Sequence, residues 1–199
     1  YKGEQIVLPS VPKLPAVAPP HAQPEQPPSS GFRLRGLSCL FTWNNEAFSQ
    51  MDRQQLWTNF LTFLRSLSFV CQWTATMEQS VHSVVQGRLH LHAFLEFTAA
   101  VDWTGLTLVK FMAAAPDARP TRARGDNQRV VMDEGHFYCW ASKIGTIFVE
   151  TSGYLPWKQY RVIGLWIDHL WSDHKLDHDT YLDYAAKVRI GFVNRAKQV

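Results

Sequence analysis

Two histidines lie one residue apart in a segment that alternates with period two, Leu89-His90-Leu91-His92-Ala93-Phe94-Leu95-Glu96-Phe97. On a strand, residues i and i+2 point the same way, so both imidazoles can converge on one ion. The odd positions are apolar and face a core. The even positions put His90, His92, Phe94 and Glu96 on the other face. An ion needs a third ligand. Glu78 ends the preceding strand, before a turn at Gln86-Gly87 that returns the chain to His90. If the two strands pair as a hairpin, Glu78 lies close to both histidines. Two imidazoles, one carboxylate and open positions suit Mn²⁺ or Mg²⁺ in oxygen chemistry, and Zn²⁺ also. Taken alone, such a pair is more often two histidines on a solvated strand face. His82, in the turn, is a lesser candidate.

The elements that must hold these residues follow from periodicity. Residues 33–43 alternate and read as a strand, with Asn44-Asn45 as a turn. Leu56, Phe60, Leu64 and Leu67 give a helical stripe over roughly residues 50–67. Val70 to Met77 is a second strand, 89–97 a third. Residues 102–114 are expected to form a short helix and 116–129 a loop. A helix over 133–143 ends at Gly145, where glycine suits a helix C-terminus. Thr146 to Thr151 is another strand. Two helices follow, over about 157–173 and 179–197, the second capped by Asp177 or Asp179. Strands separated by helices of uneven length point to an antiparallel α+β fold rather than regular βαβ winding.

The chain has 199 residues, with 46% hydrophobic and 19% charged, which is a globular composition. The net charge of +3 permits nucleic-acid binding without demanding it. No apolar run approaches the roughly 18 residues of a membrane span, so no membrane partner is expected. Three widely spaced cysteines exclude a disulfide framework and a CxxC zinc site, and fit a reducing compartment. Eight of the eleven prolines fall between Pro9 and Pro28. Residues 1–30 therefore read as a linker or extended arm, and 31–199 as the domain, with a core over about 31–152 and a helical extension over about 153–199. A first residue of Tyr rather than Met suggests a piece of a longer protein. No secretory signal is visible.

Three segments carry a resemblance. Leu40-Phe41-Thr42-Trp43-Asn44-Asn45 resembles the first motif of the rolling-circle replication initiators of circular single-stranded DNA viruses, which reads like FTLNN. Gly87-Arg88-Leu89-His90-Leu91-His92-Ala93-Phe94-Leu95-Glu96-Phe97 resembles their second, the HUH motif. Ser142-Lys143-Ile144-Gly145-Thr146 resembles the end of their third, YxxKxG. All three occur in family order over residues 38–146, and one alone would be weak. The chain thus resembles the HUH endonuclease superfamily, which also includes rolling-circle transposases.

The resemblance implies an antiparallel sheet of about five strands flanked by helices, here with two additional C-terminal helices. It implies a divalent metal on Glu78, His90 and His92. It also implies nicking and joining of single-stranded DNA, at a stem-loop origin or an element end, by a tyrosine that forms a 5′-phosphotyrosine and frees a 3′-OH. Lys143 is expected to contact a phosphate or assist the tyrosine. No GxxxxGK[ST] loop is present, so any helicase lies outside this segment. A DNA role implies a nuclear location if the source is eukaryotic.

The resemblance breaks at the tyrosine. Three residues before Lys143 stands Trp140, which cannot attack phosphorus. Tyr184-Ala185-Ala186-Lys187 restores the YxxK spacing on the last helix and is the favoured nucleophile, although it lies about forty residues later than expected. Tyr138 is in the right region but five residues before Lys143, about 140° away on a straight helix, so a local distortion is required. Tyr181 lies one turn before Tyr184, and a two-tyrosine arrangement exists in the superfamily. Tyr181 and Tyr184 also form a stripe with Val188 and Phe192 that core packing alone would explain.

Arg119, Arg122, Arg124 and Arg129 share one loop and suit phosphate contact. Arg33 and Arg35 flank Leu34 and are expected to share a face with DNA. Trp43, Asn44 and Asn45 are candidates for stacking on or bonding to bases near the nick. Two other classes compete: a DNA-binding module that kept the fold and lost its nucleophile, which Trp140 favours, and a metal hydrolase unrelated to DNA.

Overall fold

The alternation of β1 (Leu34–Asn44) sorts its side chains onto two faces, and the same holds for β2 (Val70–Gln79) and β3 (Leu89–Trp103). These strands pair antiparallel with an edge strand β4 (Asp117–Pro120) and with β5 (Thr146–Thr151), in the order β4-β1-β3-β2-β5. The computed structural model describes residues 32–81, 87–121 and 127–196. The protein is α+β, as expected, with a five-stranded antiparallel sheet.

One face of the sheet is apolar. Cys39, Phe41 and Trp43 on β1, Trp73, Ala75 and Met77 on β2, and the odd residues Leu89 to Phe97 on β3 form one buried cluster. Helix α1 (Arg53–Ser66) covers it with Leu56, Trp57, Phe60, Leu61 and Leu64. Asp52 caps this helix by accepting from the Gln55 amide at 2.8 Å. Each large side chain buried here contributes roughly 1.5–3 kcal/mol.

The opposite face is polar yet also covered. Helix α2 (Asn127–Trp140) lies across Thr74, His92, Phe94 and Glu96. Gly135 permits the approach: a Cβ there would fall 2.2 Å from Phe94 Cε2. A polar latch then holds the helix down. His136 lies between Glu96 Oε1 (2.7 Å) and Thr74 Oγ1 (2.7 Å), and its ring stacks on Tyr154 at 4.8 Å. Arg129 donates to both Glu96 and Asp133. Outside α2, helices α3 (Tyr160–Ser172) and α4 (His178–Ala196) pack Ile163, Ile167, Leu170, Tyr184 and Val188 around Phe137. Asp177 caps α4, accepting from the Thr180 amide at 2.9 Å.

Two segments differ from the sequence expectation. Residues 102–114 are not a helix. β3 continues to Trp103, because Val101 and Trp103 keep the alternation and pair with Gly36 and Leu34; a 3-10 turn follows at Thr107–Val109. Residues 116–129 are not one loop either. They contain β4, which pairs with β1 from Cys39 to Thr42, and α2 begins at Asn127.

Candidate metal centre

The hairpin of β2 and β3 sets Glu78 directly opposite His90, and Thr76 opposite His92. On the other side of β3, His90 pairs with Asn44 and His92 with Thr42 of β1. Direct cross-strand partners share a face, so one row reads Asn44, His90, Glu78 and the next Thr42, His92, Thr76. Glu78 Oε2 lies 3.5 Å from His90 Nε2 and 3.7 Å from His92 Nε2. One donor atom from each of the three residues falls within 4.8 Å of the others. Ligands about 2.1 Å from a common ion sit roughly 3.0–3.4 Å apart, so a small adjustment closes this set on a divalent ion. The group can bind such an ion.

The distal ring nitrogens are held as ligating histidines require. His92 Nδ1 is 2.8 Å from Thr42 Oγ1, and His90 Nδ1 is 3.4 Å from Ser80 Oγ. With an ion on Nε2, Nδ1 would carry the proton and donate to these hydroxyls. Burial pushes His92 down to about 3, so the ring is neutral near pH 7, the form that binds metal. Glu78 is ionised. Burial opposes its charge, but the Lys143 ammonium beside it outweighs that and holds its pKa below the usual carboxylate range.

Lys143 reaches this site because α2 stops short of it. The helix ends at Trp140, the chain turns back (Lys143 N to Ala141 O, 2.9 Å), and Gly145 enters β5 beside β2. Gly145 has φ +91°, and a Cβ there would fall 2.3 Å from Gln79 O, so glycine is required at this approach. The Lys143 ammonium pairs with Glu78 Oε1 and sits 3.6 Å above the centre of the Tyr138 ring. Tyr138 in turn lies 6.0 Å from the His92 ring, centre to centre. The five-residue spacing that a straight helix could not satisfy is satisfied by the helix end. Lys143 pulls the Tyr138 hydroxyl pKa down, but burial and Glu78 push harder, and the net is above its ordinary value.

The favoured tyrosine of the last helix is not brought to the histidines. The buried Tyr184 ring packs against Phe137, Trp140 and Trp157, and its hydroxyl accepts the Ser142 amide at 2.8 Å. Tyr181 stacks on Trp171 at 4.8 Å and donates to Asp168. Lys187 pairs with Asp183 at 2.7 Å. Trp140 faces the same helical cluster as Tyr184. Of the three candidate tyrosines, Tyr138 is the one beside the triad.

The expected DNA contacts separate in the same way. Trp43 is 0% exposed and donates from Nε1 to Val109 O at 2.9 Å, so it cannot stack on a base. Asn45 caps a 3-10 turn by accepting the Ala47 amide, whereas Asn44 is exposed in the row of His90. Arg33 and Arg35 both pair with Asp102, at the far end of β3 from the histidines. Arg129 is committed to Glu96 and Asp133 rather than free for phosphate. Arg119 is exposed on β4 opposite Leu40, a residue of the α2-side cluster, so it shares the face that carries His92. Arg122, Arg124 and His82 lie outside the described residues.

Sequence reasoning missed the orienting hydroxyls Thr42 and Ser80 and the latch of Arg129, Asp133 and His136. Thr42 stood inside the first motif, and its register opposite His92 was the signal. The chain matches no family model, and no curated protein matches it.

Proposed function

We propose that this domain nicks and rejoins single-stranded DNA with a divalent metal, Mn²⁺ or Mg²⁺, through a covalent link to Tyr138. The observation that carries the reading is the convergence of Glu78, His90 and His92 with Lys143 and Tyr138 at one end of the sheet. His90 and His92 come from the second motif and Lys143 from the third, joined by Glu78 of the preceding strand and by Tyr138, two residues before the family's tyrosine position. The ion would polarise a scissile phosphate and offset charge as it develops there.

The chain's own groups do the rest. Glu78, His90 and His92 hold the ion, with Thr42 and Ser80 fixing the rings. Lys143 offers ammonium donors to a phosphate oxygen. The Tyr138 hydroxyl forms the new bond to phosphorus, the bond to the departing 3′-oxygen breaks, and the strand end stays linked as a 5′-phosphotyrosine. That link conserves the phosphodiester for rejoining. Because the Tyr138 pKa is raised, its proton must leave as the bond forms, and the departing 3′-oxygen takes up a proton to become the free 3′-OH. Exposed Arg119 and Asn44 flank the site on the same face and suit backbone and base contact. The substrate is a single-stranded or extruded segment, such as an origin stem-loop or an element end.

One observation favours a second reading. Trp140, at the family's tyrosine position, points into the helical cluster, as expected of a DNA-binding module without a nucleophile. Incubation with single-stranded DNA and Mn²⁺ separates the two. A covalent adduct supports the nickase, and binding without an adduct supports the module.

A further inference from the structure

The two oxygens of Glu78 have different neighbours. Oε2 faces His90 and His92, while Oε1 is held by the Lys143 ammonium. Both residues are nearly withdrawn from water, Glu78 at 9% and Lys143 at 5% exposure. An ammonium carries three donors. Around Lys143 Nζ stand one carboxylate oxygen and the face of the Tyr138 ring, and among the described residues it makes no further hydrogen bond. A buried cation with unused donors calls for an acceptor-only anion. A phosphodiester oxygen is such a group.

Resting on the reading of Glu78, His90 and His92 as a metal centre, we infer that Lys143 couples metal binding to DNA binding. The ammonium and the ion draw on the same carboxylate from opposite sides. In a site this dry, their like charges repel through Glu78. Lys143 therefore weakens the ion's hold while DNA is absent. When a phosphodiester engages Lys143, its negative charge offsets the ammonium and the ion binds more tightly. By reciprocity the ion tightens DNA to the same degree. The site assembles fully on substrate and holds metal loosely otherwise.

The test is the Mn²⁺ dissociation constant, read from free Mn²⁺ by electron paramagnetic resonance, with and without a randomised single-stranded DNA pool. Wild type is compared with Lys143→Met and Lys143→Gln, each checked for folding by circular dichroism. DNA is expected to tighten Mn²⁺ on wild type by about tenfold. Without DNA, both variants are expected to bind Mn²⁺ more tightly than wild type, and DNA changes their affinity less. Variants that bind Mn²⁺ no more tightly than wild type overturn the coupling and leave the metal centre standing. Should neither variant fold, a wild-type affinity that DNA does not change overturns it. A folded wild type that binds no Mn²⁺ overturns the metal centre itself, and the coupling with it.

Discussion

Glu78 and His90 are direct cross-strand partners, and the same carboxylate oxygen reaches His92 two pairs further along β3. The three donors therefore sit on two adjacent interior strands, β2 and β3, and not on loops. A site built this way is stiff, so its distances change little when the surface does. What adjusts the site comes from the next shell: Thr42, Ser80 and Lys143.

Thr42 tests that shell. Its hydroxyl fixes the His92 ring at 2.8 Å, and Thr42→Val keeps the shape while removing the acceptor. Mn²⁺ affinity is expected to fall about 10- to 100-fold, as for other outer-shell partners of ligating histidines. Calorimetric titration measures it, and an unchanged affinity contradicts the orienting role.

Tyr184 is expected to matter for stability rather than chemistry. Tyr184→Phe keeps the ring in its aromatic cluster but strips the acceptor from the Ser142 amide. The cost is about 1–3 kcal/mol, seen as a lower Tm. The yield of covalent DNA adduct should hold. Loss of the adduct in a folded Tyr184→Phe protein would move the nucleophile to the last helix.

Helix α2 can sit on the sheet only because position 135 has no side chain. In Gly135→Ala, the new methyl meets Phe94 Cε2 at 2.2 Å, so the helix must lift or the ring must move. Destabilisation of about 1–3 kcal/mol is expected. The double variant Gly135→Ala with Phe94→Leu should recover part of it, since the two positions are coupled. Chemical denaturation of the four proteins completes the cycle, and strict additivity would contradict the contact.

The latch under α2 sets a pH dependence. Burial holds the His136 pKa below its ordinary 6.5, while Glu96, opposed by burial, is held below its ordinary 4.5 by His136 and Arg129. Both groups bind fewer protons folded than unfolded over these ranges, so stability falls with acidification. The histidine contribution is present above pH 6.5 and is lost first on the way down. The glutamate contribution is lost below 4.5. Thermal melts from pH 7 to pH 4 should show a falling Tm, with the upper part of the slope missing in His136→Asn. A Tm that rises on acidification contradicts this.

Local pattern made much of this legible. The period-two run Leu89 to Phe97 placed His90, His92 and Glu96 on one face, and the turn after Glu78 implied the hairpin that delivers it. Tertiary features were harder to read. Trp43 is sequestered by α1, and nothing in the motif says which face a residue beside Thr42 will take once the strand is paired. Arg129 looked like one more loop cation until β3 supplied Glu96. The approach of Lys143 to Tyr138 depends on where α2 ends, and helix boundaries are the least certain element of a sequence reading. The strand β4 was missed because four residues that include Pro120 carry almost no strand signal.

The most direct test of the account is covalent capture. The protein is mixed with a randomised single-stranded DNA pool and Mn²⁺, run on a denaturing gel, and the adduct mapped by mass spectrometry. The account predicts a band shift that survives denaturation, disappears with chelator and in Glu78→Gln, and maps to the peptide carrying Tyr138. No adduct from a folded protein that binds both Mn²⁺ and the DNA would contradict it, and would leave a DNA-binding module with Trp140 where a nucleophile was expected.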